Sequence, residues 1–288
     1  MYISMKTFLA AAVGAALAAT GANAADIAAR PYTKAPVAAP VPNWTGWYGG
    51  INAGGGWTDT DIGYAANDPL TAILFGLAPL PARGDSVNAS GALGGLQLGY
   101  NYQFQRNWVM GLETDFQFSG IRGSGSTSYN VNAGQFITHV SQNIEYFGTV
   151  RARLGYLPTD QLLVYATGGF AYAQLNNSVS MSAAGAGTFA NLPVGGVVYS
   201  VNCNPGDACF ASSSNRVSPG WTVGGGLEYA FWQNWSLKGE YLFARFQDSL
   251  TPAAVTVTPG AVASTYNAKV TTDLNIVRLG LNYKFSGY

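Results

Sequence analysis

Along much of the chain apolar residues fall at every second position, in segments of 9 to 13 residues, long enough to cross a bilayer as tilted strands of about 9 to 11. The last segment, Leu274–Phe285, shows the pattern most plainly. Val277, Leu279, Leu281, Tyr283 and Phe285 share one side of an extended strand, and Arg278, Gly280, Asn282 and Lys284 share the other. Seven further segments read the same way: Gly46–Trp57, Ala92–Phe104, Trp108–Phe118, Ile144–Tyr156, Leu162–Ala173, Trp221–Phe231 and Trp235–Phe243. Leu162–Ala173 is apolar on both faces, so its sidedness stays open. In Ile144–Tyr156 the alternation places Ile144, Tyr146, Val150, Leu154 and Tyr156 on the oily side.

The connections alternate in length. Corners at Gln105–Asn107, Leu157–Gln161 and Trp232–Asn234 are short, whereas Thr58–Ser90, Ser119–Asn143, Gln174–Gly220 and Ala244–Asp273 run from roughly 25 to almost 50 residues. Short turns on one side and long loops on the other predict an all-β fold, an eight-stranded antiparallel up-and-down transmembrane barrel with four long extracellular loops and short periplasmic turns. Aromatic residues collect at the strand ends. Trp47, Phe104, Trp108, Tyr156, Phe231, Trp235 and Phe285 mark one interface, and Trp57, Phe118, Tyr146, Trp221 and Phe243 the other. A soluble barrel with the oily face turned inward is the competing reading; it would require an outer surface built largely of Gly, Asn, Gln and charge.

The charges sharpen the picture. Glu113, Asp115, Glu145, Glu228, Glu240, Arg151, Arg153, Lys238, Arg278 and Lys284 all fall on the non-lipid side of their predicted strands. A basic residue turned to lipid at the midplane would cost about 2 to 4 kcal/mol, so these ten fix the register. An eight-stranded barrel is just wide enough for side chains, which predicts an interior charge network in place of an aqueous pore. Overall the chain is poor in charge (10%), and its 14 basic and 14 acidic residues balance, which gives no electrostatic case for nucleic acid as a partner.

Upstream of the strands, Lys6, the apolar run Phe8–Ala19 and Ala22-Asn23-Ala24 have the form of a signal peptide with its cleavage site, residues 1–24; Met5 is a second candidate start. The apolar run is too short to span as a helix. Residues 25–43, with Pro31, Pro36, Pro40 and Pro42, read as an extended periplasmic leader, and residues 44–288 as the barrel domain. Cys203 and Cys209, the two cysteines, are expected to pair and tie off a loop in an oxidising compartment. No further ligands lie close enough in sequence for a metal site.

Other chemistry is thin. Glu113 and Asp115 are spaced as an acid/base pair could be, but ten balanced charges point to a structural network. His139 is the single histidine and the one residue on which an outer-membrane hydrolase could be built. Gly94-Gly95 and Gly224–Gly226 precede no helix and no Lys-Ser/Thr, so they are not phosphate loops. The apolar run Leu70–Leu80 is too short to span and is read as touching headgroups or a partner, or as filling a loop core. No catalytic residue, cofactor or metal is expected.

Asn43-Trp44-Thr45-Gly46-Trp47-Tyr48, Gly220–Ala230, Asn234-Trp235-Ser236-Leu237-Lys238 and the closing Val277–Phe285 resemble the small outer-membrane barrels of the RopB-like, immunogenic or porin-family group. The resemblance covers nearly all of the chain after residue 24. It implies a Gram-negative outer membrane with its lipid and lipopolysaccharide as surroundings, and insertion by the barrel assembly machinery through a C-terminal aromatic signal carried by Tyr283 and Phe285. It further implies roles in envelope integrity and contact with a host surface ligand, with no catalytic residues. Ser286-Gly287-Tyr288 after Phe285 departs from chains that end on the Phe. A narrow solute pore and a hydrolase using His139 are the alternative functions.

Overall fold

The computed structural model describes residues 43–77, 85–131, 134–184, 187–203, 205, 208–254, 257–258 and 264–285, all within the compact unit Pro40–Tyr288. The segments expected to be signal peptide (1–24) and leader (25–43), apart from Asn43, and Ser286-Gly287-Tyr288 lie outside them. The elements in order are β1 (Gly46–Ala66), α1 (Pro69–Leu77), β2 (Asp85–Phe104), β3 (Trp108–Val131), β4 (Gly134–Thr159), β5 (Leu162–Ala183), β6 (Gly187–Val194), β7 (Val197–Cys203), β8 (Ala208–Trp232), β9 (Trp235–Leu250), β10 (Ala253–Ala254), β11 (Val257–Thr258) and β12 (Tyr266–Lys284). β1, β2, β3, β4, β5, β8, β9 and β12 pair antiparallel in that order, and β12 returns to β1, closing an eight-stranded barrel. At lipid depth every barrel strand is paired on both sides, which is the condition for sheet to exist in hydrocarbon; above it the β8–β9 ladder ends at Gly220 and Phe246.

The three short corners are tight. Gln105 and Arg106 turn in the left-handed region, with φ of 47° and 64°, and Phe104 pairs directly with Trp108. The second corner narrows to Asp160-Gln161, since Thr159 still pairs with Leu162; Trp232 pairs with Trp235 at the third. On the lipid side, Trp47, Ile51, Leu96, Leu98, Leu112, Val150, Leu227 and Leu279 are exposed. Trp47 and Trp57 bound this band, and ten residues of tilted strand between them span about 25 Å, the height of an outer-membrane hydrocarbon belt.

The barrel strands are 16 to 26 residues long, far more than a bilayer requires. Much of what sequence assigns to the four outer loops is therefore paired strand, rising above the aromatic ring. Within each strand the inward parity is kept while its chemistry changes. On β12 the inward residue is Arg278 at lipid depth, then Ile276, Leu274, Val270 and Ala268 above it, all buried. Their outward neighbours change from Leu279 and Val277 to Asp273 and Lys269. The oily face and the polar face exchange sides where the surroundings change from acyl chains to water, because each zone buries what its solvent rejects.

The interior is consequently layered. Trp44, Val109, Leu157, Leu163 and Tyr165 close the periplasmic mouth. Above the charged middle, Leu93, Ile121, Ile144, Phe147, Leu242, Phe246 and Leu274 form an apolar plug. A polar layer follows in which Gln142 joins Thr58, Thr60, Thr272 and Asn177 at 2.9–3.3 Å. A second apolar cluster of Ile62, Val87, Phe136, Val140, Val179, Phe210, Tyr266 and Val270 fills the outer end. Leu70 of α1 packs into this cluster, so the first part of the apolar run Leu70–Leu80 fills a loop core; residues 78–80 lie outside the described ones. Asp68 caps α1, accepting from the Thr71 amide at 2.8 Å with Pro69 next in line.

One site of irregularity changes the reading of β4. Its register slips between Ile144 and Phe147 against β5, leaving Glu145 and Tyr146 together on the outer side. Ile144 is buried and Glu145 is exposed, the reverse of strict alternation. In β5 the open question of sidedness is settled, with Leu163, Tyr165, Ala171 and Leu175 inward and Val164 and Phe170 outward.

The exchange of faces yields a paired test. Val270→Lys places an ammonium in the outer apolar cluster and is expected to cost about 3 kcal/mol or more. Thr271→Lys, one residue along on the wet side, should stay within about 0.5 kcal/mol. Urea unfolding of the barrel in vesicles measures both; equal tolerance would mean that this segment is loop.

Candidate functional site

Eight of the ten charges placed inside by the sequence meet at the middle of the barrel, all buried. Each arrives from the lumenal side of a strand whose opposite face carries lipid-exposed residues such as Leu112, Val150, Leu237 and Leu279. Arg151 is the hub. Its Nη2 reaches Glu113 at 2.5 Å and Asp115 at 3.0 Å, its Nη1 reaches Glu240 at 3.0 Å, and its Nε donates to Thr149 at 2.9 Å. Arg278 clamps Asp115 at 2.8 Å and Glu240 at 2.6 Å. Lys238 donates to both oxygens of Glu113, at 2.8 and 3.0 Å, and Arg153 reaches Glu228 at 2.8 Å. Four carboxylates thus share four cations, so the cluster is neutral as a whole and each desolvated charge has a partner.

The packing that admits these long side chains is written in glycine. Register pairs Arg278 with Gly54, Arg151 with Gly169, Arg153 with Gly111 and Lys238 with Gly280. A Cβ on Gly54 would lie 2.1 Å from the Val277 carbonyl and 2.8 Å from Arg278 Cβ. At Gly169 it would lie 2.1 Å from the Val150 carbonyl and 2.8 Å from Arg151 Cα. Each of these cations therefore sits across from a residue that takes no room in the lumen.

Several members escaped sequence reasoning. Tyr48 donates to Glu113 at 2.7 Å and accepts from Arg153 at 2.9 Å. Tyr165 donates to Glu240 at 3.0 Å while the Arg153 guanidinium lies 4.0 Å over its ring. Ser236 and Asn282 hydrogen-bond Glu228 at 2.6 and 2.8 Å. Tyr48 was detectable as the inward neighbour of outward Trp47; Tyr165 was hidden because β5 reads as apolar on both sides.

Two expected members are absent from the cluster. Glu145 lies outside above the bulge, accepting from Asn176 at 2.7 Å. Lys284 stands at the periplasmic mouth, where its ammonium bonds the Asn43 carbonyl and meets no carboxylate among the described residues. Cys209 is disulfide-bonded and buried in the outer cluster; the chain has one other cysteine, Cys203, at the end of β7. Tyr283 and Phe285 face outward with ring centroids 5.7 Å apart, and Trp235 packs 5.0 Å from Tyr283. His139 is exposed on the outer face of β4, flanked in register by Ser126 and Ser180.

Nearer the outer rim, buried Asp85 accepts from Tyr64 at 2.7 Å and Tyr129 at 2.5 Å. Burial, followed by the hydrogen bond to Asp85, pushes both phenols up from their usual range, which keeps them neutral donors. At the periplasmic mouth a cavity of about 30 Å³ is lined by Trp44, Tyr48, Asn101, Glu228 and Trp235, among others, and the apolar layers close the barrel above the ions. Among the described residues no cluster of His, Cys, Asp and Glu is arranged to hold a metal.

A closed eight-stranded ring with an aromatic-edged apolar belt and its ions sealed inside is the build of a transmembrane barrel of the Gram-negative outer membrane. The chain belongs to the outer membrane protein beta-barrel domain family, which it matches over residues 8–285. It is similar to the 31 kDa outer-membrane immunogenic protein of Brucella melitensis biotype 1, 37% identical over 287 residues that cover 98% of this chain and 100% of that one. The protein of the same description from Brucella suis biovar 1 matches with the same figures. Among solved structures, the outer membrane protein OprG from Pseudomonas aeruginosa is 14% identical, covering 85% of this chain and 99% of that one at a TM-score of 0.43.

Removing one cation leaves the buried cluster with an uncompensated negative charge. Arg151→Met, which takes one cation from Glu113, Asp115 and Glu240 and leaves them to share Lys238 and Arg278, is expected to destabilise the barrel by about 3 to 5 kcal/mol. Glu145→Gln, on the outer surface, should change stability by about 0.5 kcal/mol or less. The midpoint of the heat-induced gel shift in outer-membrane fractions separates the two.

Proposed function

We propose that this barrel is a non-catalytic structural and interaction protein, anchored by its plugged lumen and presenting a rigid outer cap at the cell surface. The observation that carries this reading is the filled interior: a neutral ion cluster, an apolar plug and a second apolar layer stand in series along the axis. An eight-stranded barrel packed in this way holds its shape through side chains and offers solutes no continuous wet path. Around such a barrel the partners are outer-membrane lipid and lipopolysaccharide, the assembly machinery acting on the Tyr283 and Phe285 end, and a host surface ligand at the cap. Nucleic acid and cofactors have no place in it.

The hydrolase reading meets a chemical obstacle at His139. The shallow groove around it is lined by Ser124, Gly125, Ser126, Val140, Ser141, Ser178 and Ser180, with no carboxylate among them. A serine nucleophile needs a base that is itself oriented by a third group.

Two measurements test this reading. Purified barrel in planar bilayers is expected to show no stable unitary conductance steps; regular steps would establish a pore. Outer membranes from cells carrying His139→Ala should keep an unchanged lipid A profile, and any change in acylation would establish an enzymatic role for that residue.

A further inference from the structure

Above the aromatic ring the outer wall of the barrel is not uniform around its circumference. On β1, β9 and β12 it is ionic: Asp59 pairs in register with Asp273, Arg245 bridges Asp273 at 2.5 Å, and Lys269 is exposed. On β3, β4 and β5, above Arg122 and Glu145, it carries no acid, lysine or arginine among the described residues and is built largely of hydroxyls. Ser126, His139 and Ser180 form one row across the three strands, and Ser124, Ser141 and Ser178 form the next. Ser141 and Ser178 hydrogen-bond each other at 2.8 Å, and the two rows line a shallow groove of about 260 Å³. Directly behind them Phe136, Val140, Val179 and Met181 are packed in the outer cluster, so the wall is stiff. Below the groove on β3 stands Arg122, exposed and with no carboxylate bonded to it among the described residues.

We infer that this wall of β3, β4 and β5 is a docking surface for the core sugars of a lipopolysaccharide molecule in the same leaflet, with Arg122 taking a phosphate beneath them. The inference rests on the outer-membrane placement and deepens the proposed function by locating one partner on one face. Height supports it: about seven residues of tilted strand separate Tyr146, at the aromatic ring, from His139. That sets the groove roughly 15 to 20 Å above the ring, past the acyl chains and level with sugar. Chemistry supports it as well. Rows of hydroxyls on strands spaced about 4.8 Å apart offer donors and acceptors to a chain of polyols. Above the ring this face carries one large apolar side chain among the described residues, half-buried Ile137 between Ser128 and Ser182, where a protein partner, or a second copy of this chain, would draw most of its affinity from a cluster of aromatic or large apolar anchors. Each hydroxyl contact is weak, but a ligand held in the same leaflet acts at high effective concentration.

The test uses the full chain folded into three kinds of vesicle: phospholipid alone, phospholipid with lipopolysaccharide truncated to lipid A, and phospholipid with lipopolysaccharide bearing a complete core. The midpoint of the heat-induced gel shift is read in each. The complete core is expected to raise the midpoint several degrees beyond the truncated form. Ser126→Asp/Ser141→Asp/Ser180→Asp should erase that increment while leaving the midpoint in phospholipid alone nearly unchanged. If the carboxylates disturb folding, Ser126→Ala/Ser141→Ala/Ser180→Ala removes the hydroxyls without adding charge and should erase the increment likewise. Arg122→Ala should lower the midpoint in both lipopolysaccharide vesicles. Equal midpoints with complete and truncated lipopolysaccharide would overturn the inference, as would an increment that survives loss of the three serines. So would a rise that follows protein-to-lipid ratio and not the core, because that would show copies of the chain pairing. Failure of the barrel reading itself would look different, with no heat-shifted band in any vesicle.

Discussion

Four cations and four carboxylates share the middle of a cylinder whose outside is hydrocarbon, and almost every other feature of the chain accommodates that arrangement. An ion at this depth is buried away from bulk solvent, so its counterion has to come from across the lumen. Residues of opposite charge on β3, β4, β8, β9 and β12 therefore have to arrive at one level, which fixes the register of five strands at once. The glycines across from Arg151, Arg153, Lys238 and Arg278 follow from the same requirement, as do the tyrosines that cap the remaining oxygens.

Above the ions the chain is governed by a different solvent. From Ile276 upward β12 buries Leu274, Val270 and Ala268 and shows Asp273 and Lys269 to the outside, as a strand of a water-soluble barrel would. The same eight strands thus carry two zones in series with opposite ideas of inside, the ring closed at lipid depth and parted between β8 and β9 above Gly220. The outer one depends on ordinary apolar packing, helped by the capped helix α1 and the disulfide at Cys209. The inner one depends on lipid.

That seam explains what sequence could and could not say. The lipid-crossing halves were legible because one face is oily throughout and aromatics mark its ends, and the periplasmic corners fell within a few residues of their observed places. The upper halves read as loops because the oily positions change sides at Ile276 and its equivalents. A search for one continuous apolar face stops there, although the backbone continues unbroken. Glu145 was misplaced for a more local reason: a bulge adds one residue to β4, and alternation counted across it assigns Ile144 and Glu145 to each other's sides. For Tyr165 there was no contrast to read, since β5 is apolar on both faces. Lys284 faces the lumen as its parity requires but too near the mouth to reach the ions.

The continuation of the strands beyond the membrane also decides what an immune receptor would meet on the cell. In place of supple loops, each recognisable by a short peptide, much of the exposed surface is a firm woven wall. Ser126, His139 and Ser180 are immediate neighbours there, though far apart along the chain. An antibody fitted to such a patch recognises the weave, and its target vanishes as soon as the cylinder is opened.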